Sequence, residues 1–174
     1  MDIGAMTLLA GAFAVGGCLV AIAVCDLGSY TIPNSVCVAL LWLFVVAAPF
    51  TRVDISLLSH LYSFLIVLAA GFLAFRFGLF GGGDVKSWAA IALWYDLGSL
   101  SEQVFHVTLL GGMLGLALVA LRRVAASQYV QHHVALSRMP RLFRMGEPVP
   151  YGVAIAAGTA LSAGHIDLFR SFPL

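Results

Sequence analysis

The chain has 174 residues, of which 61% are hydrophobic and only 10% are charged, and its mean hydropathy is +1.01. A soluble domain carries about 25% charged residues, so this chain has too few polar side chains to cover a water-facing surface. The composition excludes an ordinary soluble protein and predicts an integral membrane protein. The net charge of +1 gives no support for nucleic-acid binding.

Six apolar stretches predict an all-α bundle of about six transmembrane helices, since about 20 apolar residues suffice to cross a bilayer. The predicted helices cover about residues 4–25, 32–50, 57–77, 84–97, 103–121 and 150–163, with ends uncertain by a few positions. The fourth and sixth look short, so we expect them to tilt or to be shielded by neighbours. We expect residues 1–174 to form a single polytopic membrane domain.

Positive charges gather on one predicted side of the membrane. Seven of the nine Lys and Arg residues fall there if six helices alternate in direction: Arg76, Lys86, Arg122, Arg123, Arg138, Arg141 and Arg144. Because Lys and Arg favour the cytoplasmic side, the pattern predicts a multi-pass protein with both termini outside the cytoplasm. Residues 122–148 are then a basic cytoplasmic segment, which we expect to lie on anionic lipid headgroups.

Two acids, Asp26 and Asp84, are predicted at membrane edges on this same cytoplasmic face. Asp26 follows the first helix, and Asp84 follows the run Gly81-Gly82-Gly83 before the fourth helix. Two converging carboxylates are the minimum equipment for aspartyl proteolysis. One, ionised, takes a proton from water, while the other, protonated, polarises the scissile carbonyl.

A structural explanation of the same residues stays open at this point. Aspartate is a good N-cap, a glycine-rich turn before it is ordinary loop chemistry, and Asp26 could be a solvated loop acid. The three glycines favour the functional reading slightly. One glycine suffices for a turn, whereas three indicate a backbone that moves or lies close to a ligand.

Three motifs resemble those of the type IV prepilin peptidases, membrane aspartyl proteases with a GxGD motif. Gly81-Gly82-Gly83-Asp84-Val85-Lys86 matches the family's GxGDxK. Asp26 is followed six residues later by Ile32-Pro33-Asn34, as in the family's Asp and downstream IPN. The stretch 150–155, PYGVAI, matches the opening of the last helix in short family members.

The resemblance implies an endopeptidase that removes the short leader of a prepilin or pseudopilin at the cytoplasmic face of a bacterial inner membrane. Its implied substrate has a leader that ends in Gly, and its implied partners are that substrate, membrane lipid and pilus-assembly proteins, without metal or other cofactor. The implied catalytic residues are Asp26 and Asp84. The implied motif or substrate-positioning residues are Pro33, Asn34, Gly81, Gly83, Lys86, Pro150, Tyr151 and Gly152.

The sequence departs from the family pattern in two places. Family members usually carry basic residues between the first Asp and IPN, where this chain has Leu27-Gly28-Ser29-Tyr30-Thr31. The large insert with paired cysteines that long bacterial forms carry is absent, so we expect no N-methylation of the product. The small size resembles the peptidases of tight-adherence (Flp) pilus systems or an archaeal preflagellin-type relative.

Two other classes of function remain as alternatives. An ion-coupled transporter would use intramembrane acids, but such sites typically lie near the midplane on broken helices, and no acid falls in the middle of a predicted helix. A non-enzymatic scaffold with the same fold would keep its function after both Asp residues were replaced.

Helix position also predicts different roles for the two acids. Asp84 opens the fourth helix, whose positive end favours the ionised form, whereas Asp26 follows the negative end of the first. We therefore expect Asp84 to be the general base and Asp26 the general acid. Separately, the small residues at Gly111 and Gly115, and at Ala154, Gly158 and Ser162, predict close helix packing.

Overall fold

The computed structural model of the chain describes residues 3–51, 55–126, 141–144 and 146–166. This part of the chain forms six α-helices, three short 3₁₀ turns and no strand, which confirms the all-α prediction. The helices are α1 Ile3–Ser29, α2 Asn34–Ala47, α3 Leu57–Arg76, α4 Gly82–Ala92, α5 Leu100–Ala125 and α6 Tyr151–Leu161. The 3₁₀ turns are Ala48–Phe50, Arg141–Phe143 and Ala163–His165.

Two helix boundaries differ from the prediction in ways that affect the acids. Helix α1 continues to Ser29, so Asp26 lies in its last turn and not in the turn after it. The helix stops because Tyr30 adopts a left-handed conformation with φ of 53°. Helix α4 begins at Gly82, so Asp84 is its third residue and not its N-cap. Asp26 and Asp84 are therefore both helical residues, with backbone conformations that their own helices fix.

Helix α5 is longer than predicted at both ends and reaches Ala125. Its C-terminal extension contains Arg122 and Arg123, which the sequence placed in a surface segment after the helix. Arginine is a good helix former and no Gly or Pro interrupts this stretch, so the helix continues. Most of the predicted basic segment 122–148 lies outside the described residues, which resume at Arg141.

Three helices of the described chain are long and apolar enough to cross a membrane: Met6–Ser29, Leu57–Arg76 and Leu100–Ala125. They expose large apolar side chains, including Phe13 on α1 and Leu116 on α5, at 74% and 75% of their surface. This surface suits lipid and supports a membrane location. Helices α4 and α6, with 11 residues each, rise only about 16 Å.

The two short helices α4 and α6 lie inside the bundle. Helix α4 packs against α2, α3 and α6, and helix α6 packs against α1 and α5. Shielding of these helices by their neighbours, predicted from their length, is confirmed by the burial of almost all of α4 from Val85 to Ala92. Apolar burial of this kind holds the N-terminal ends of α4 and α6 close together.

Small residues allow these contacts at some of the predicted positions and not at others. A Cβ at Gly158 would lie 2.6 Å from the Cα of Val107, so α5 and α6 cross at backbone contact, as predicted. A Cβ at Gly115 would meet no atom within 4 Å among the described residues, so of the predicted pair only Gly111 lies at a close helix contact. Gly111 faces the side chain of Tyr151, the first residue of α6.

Candidate active site

Asp26 is held by the backbone of another helix. Its side chain is buried, with 5% of its surface exposed. The backbone N–H of Gly152, at the start of α6, donates a 2.6 Å hydrogen bond to the Asp26 Oδ2. The first N–H groups of a helix have no partner within the helix, so a carboxylate is a natural acceptor there.

Asp84 is held in the same way within its own turn. The backbone N–H of Gly81, just before α4, donates a 3.1 Å hydrogen bond to Asp84 Oδ2. Asp84 is thus a helix-terminal acceptor, as the structural explanation of the motif anticipated, although it acts from the third position of the helix. Capping does not exclude chemistry, since the second carboxylate oxygen has no part in this bond.

Each of the two carboxylates faces a glycine that has little room for any side chain. A Cβ at Gly152 would lie 2.9 Å from Asp26 Oδ2, and a Cβ at Gly81 would lie 3.0 Å from Asp84 Oδ2. Each glycine therefore both donates to the carboxylate and permits its close approach. Backbone proximity, and not a left-handed conformation, is why these two motif positions need glycine.

Asp26 and Asp84 both line one cavity of ≈ 430 Å³. Six of the side chains that line it are those of Asp26, Tyr30, Phe80, Asp84, Val149 and Tyr151. The wall is built from the end of α1, the turn before α4 and the chain entering α6. The structure therefore brings together the two acids that the sequence paired at a distance of 58 positions (84 − 26).

The protonation of Asp84 reflects its neighbours. Asp84 lies outside the three helices that are long enough to cross a membrane. Burial and, second, the negative charge of Asp26 raise the pKa of Asp84 to about 6, although the Gly81 N–H opposes the shift. The helix terminus favours ionised Asp84 through the Gly81 N–H, as the sequence predicts, but burial and the like charge of Asp26 outweigh it, so the net shift of the pKa is upward.

Tyr151 lines the cavity, and its ring is held on two sides. Its ring meets Phe80 edge-on with centroids 4.5 Å apart. Its hydroxyl lies against Gly111 on α5, where any Cβ would overlap it. The ring is thereby held between the turn before α4 and helix α5, in the cavity that Asp84 also lines.

Other residues of the three motifs lie away from the acids. Lys86 lies on a different face of α4 from Asp84, where its Nζ donates a 3.3 Å hydrogen bond to Asn34 Oδ1. This pair borders a separate, mostly apolar cavity between α2, α3 and α4. Pro33 is the N-cap of α2 and Pro150 that of α6. The structure places both prolines where they start helices.

Gly83 lies beside Ile32, with an ideal Cβ position 3.4 Å from the Ile32 Cβ. This contact joins the glycine motif to the IPN motif, so the connection after α1 and the start of α4 pack together. Gly83 is not among the described residues that line the cavity of the two acids.

Sequence reasoning missed several residues around the cavity. Tyr30 and Phe80 line it, but neither belongs to a spacing pattern. Pro148 and Val149 line it from the chain before α6. Of the two prolines in this stretch, only Pro150 belongs to a recognisable motif, PYG.

Comparison with known proteins finds one similar curated protein and one matching family. The chain is 32% identical over 160 residues to a curated protein of Bacillus subtilis (strain 168) named prepilin leader peptidase/N-methyltransferase. That match covers 88% of this chain and 55% of the relative, so the chain spans about half the length of the curated protein that it matches. No solved structure matches the chain significantly. The type IV leader peptidase family matches residues 13–120, which include both acids, and the chain belongs to this family.

Proposed function

We propose that the chain is an aspartic endopeptidase that removes the short leader peptide from prepilin-like proteins. The observation that carries the proposal is the shared cavity in which Asp26 and Asp84 each accept a hydrogen bond from a glycine N–H. The family supports the same activity. The bacterial relative is named for leader peptide removal, and it is also named for N-methylation.

In the proposed reaction, Asp26 and Asp84 share one proton at working pH. Like charges in one cavity cannot easily both ionise. The ionised acid takes a proton from water, and the water oxygen attacks the scissile carbonyl carbon. The protonated acid hydrogen-bonds the carbonyl oxygen as negative charge develops there. Collapse of the tetrahedral intermediate breaks the C–N bond, and the leaving amine takes a proton from the pair.

The position of the acids at helix ends supports a substrate that is cleaved at the membrane edge. The acids lie at the ends of α1 and α4, and the three long helices carry the apolar surface that suits lipid. A prepilin with a polar leader and an apolar helix would present its cleavage site at the membrane edge. We propose that this edge is the cytoplasmic face of the inner membrane and that both termini lie outside, as the charge distribution predicts.

Cleavage of a defined substrate tests the proposal. Purified protein in detergent or nanodiscs would be incubated with a prepilin whose leader ends in Gly, and the product N-terminus would be mapped by mass spectrometry. We expect the wild type to cleave the prepilin directly after that Gly. We expect Asp84→Asn not to cleave it. A wild type that leaves every candidate prepilin intact, while correctly folded, would contradict the activity.

An ion-coupled transporter is the weaker alternative. In the described part of the chain, the helical acids lie in end turns: Asp26 in the last turn of α1, Asp84 and Glu102 in the first turns of α4 and α5. Transport sites typically use acids near the middle of the membrane. The proposal of a peptidase therefore fits the placement of the acids better.

A further inference from the structure

Arg122, in the last turn of α5, makes three hydrogen bonds to the chain that precedes α6. Its side chain is buried, with 7% of its surface exposed. Its Nε donates to the carbonyl of Leu142 at 2.9 Å, Nη1 to that of Glu147 at 2.6 Å and Nη2 to that of Pro148 at 2.9 Å. One buried guanidinium thus holds three backbone carbonyls of the chain that enters α6.

That chain is the wall of the cavity and the source of the bond to Asp26. Pro148 and Val149 line the cavity, and Gly152, four residues after Pro148, donates to Asp26. The carbonyls of residues outside a helix have no ladder to bind them, so a side chain that binds three of them fixes the path of the segment. Arg122 is therefore the point at which α5 fixes the approach to Gly152.

A second set of contacts holds the outer side of the same segment. Arg141 lies over the ring of Tyr30, with its Cζ 5.7 Å from the centroid. It also pairs with Glu147, at 3.6 Å between Nε and Oε1. Arg141 is mostly exposed, so this pair contributes little by itself. The buried Arg122 has the fork geometry and the burial that a strong positional constraint needs.

We propose that Arg122 is a positioning residue for the peptidase, which fixes residues 147–152 so that Gly152 holds Asp26 and Pro148 and Val149 shape the substrate wall. This inference rests on the proposed function for its effect on cleavage, whereas its structural part stands by itself. Arg122 touches neither carboxylate, and its effect passes through the backbone of the segment. The sequence, by contrast, groups Arg122 with the surface charges.

Arg123 provides a matched control, because it is the next residue, has the same side chain and is exposed. The variants are Arg122→Gln, Arg122→Lys and Arg123→Gln in the full chain. Hydrogen–deuterium exchange of the peptide covering residues 147–152 reports the segment without reference to cleavage. Steady-state cleavage of a prepilin at several pH values reports kcat, KM and the pH profile.

For Arg122→Gln we expect exchange at 147–152 to become at least about tenfold faster through local opening. We expect kcat to fall by about 100-fold, since displacement of catalytic groups by about 1 Å has that effect. The pH profile should also change, because Asp26 loses its fixed donor. A single Lys ammonium cannot reproduce the fork, so Arg122→Lys should be intermediate, and Arg123→Gln should match the wild type.

Wild-type exchange and wild-type kcat in Arg122→Gln would overturn the proposal. So would a variant that loses thermal stability but keeps kcat and the pH profile, because that result assigns Arg122 to stability alone. If Arg122→Gln does not fold, Arg122→Lys decides by the same two readouts. If the wild type cleaves no prepilin, the proposed function fails, while the exchange data still decide whether Arg122 fixes the segment.

Discussion

The backbone N–H of Gly152 donates a 2.6 Å hydrogen bond to the carboxylate of Asp26, which lies 126 positions earlier in the chain. The bond joins the last turn of α1 to the first turn of α6. Because the donor is a main-chain N–H, truncating a side chain cannot remove it. A substitution at Gly152 can displace the carboxylate only by filling the space of the glycine hydrogen. That space is closed, because a Cβ there would lie 2.9 Å from Asp26 Oδ2.

Gly152→Ala should therefore displace Asp26 and lower kcat by about 100-fold, since a misplacement of about 1 Å can cost that much. The fold should persist, because alanine suits a helix better than glycine does. Cleavage assays at saturating prepilin measure the effect. Gly28→Ala on α1 is the control, since no atom lies within 4 Å of its Cβ position. Equal activity of the two variants would show that Gly152 does not set the position of Asp26.

Gly111→Ala should disturb the cavity from the opposite side. Its Cβ would overlap the Tyr151 hydroxyl, so the ring must move and the wall next to Asp84 changes shape. Such overpacking costs roughly 1–3 kcal/mol. We expect a higher KM and a lower thermal unfolding temperature than in Gly115→Ala, the control one turn later on α5. Gly115 is open, so identical behaviour of both variants would rule out the Tyr151 contact.

Asp26→Asn should lower the pKa of Asp84. The negative charge of Asp26 is the second of the two causes that raise this pKa to about 6, and the substitution removes it while burial remains. The pKa should therefore fall but stay above the ordinary aspartate value. Site-resolved carboxyl titration by NMR measures this shift. An Asp84 pKa that is unchanged, or that rises, would mean that the two carboxylates are not coupled.

The reciprocal variant Asp84→Asn tests the assignment of roles. Asp84 as general base and Asp26 as general acid remains a prediction, and it requires the remaining pKa of Asp26 in Asp84→Asn to exceed that of Asp84 in Asp26→Asn. The opposite order would exchange the two roles. The wild-type rate profile should be bell-shaped, because the active form of the pair carries one proton.

Single cysteines test the predicted topology. In a chain without Cys18, Cys25 and Cys37, a cysteine at Ser29 should react only with reagents that reach the cytoplasm. A cysteine at Ser56 should react from outside, since the two positions lie at opposite ends of the bundle and both are exposed. Ser137, the third predicted cytoplasmic position, lies outside the described residues. The reversed labelling pattern would place the acids on the side that a cytoplasmic leader cannot reach.

The sequence predicts the helices and the acid pair because these depend on local pattern. Apolar stretches identify the six helices, and Asp84 after three glycines is a recognisable motif. Contacts between distant segments leave no such pattern. Nothing in the spacing of Arg122 distinguishes it from the exposed Arg123, yet the first is buried against three carbonyls and the second is not.

The raised pKa of Asp84 could not be predicted for the same reason. The helix terminus is visible in the sequence, whereas the burial and the approach of Asp26 that raise its pKa arise only when α1, α4 and α6 pack together. Likewise the PYG motif indicates the start of a helix. The packing of α1 against α6 decides that the glycine of this motif faces Asp26 on α1 and not the lipid.

The proposed peptidase reaction requires Asp26 and Asp84 to act as one catalytic unit. The direct measurement is kcat/KM for prepilin cleavage by the wild type, Asp26→Asn, Asp84→Asn and the double variant, each confirmed to be folded by its thermal unfolding transition. Each single substitution should abolish cleavage, and the double variant should be no worse than either one, because residues that act together are not additive. Full processing by either single variant would contradict the account.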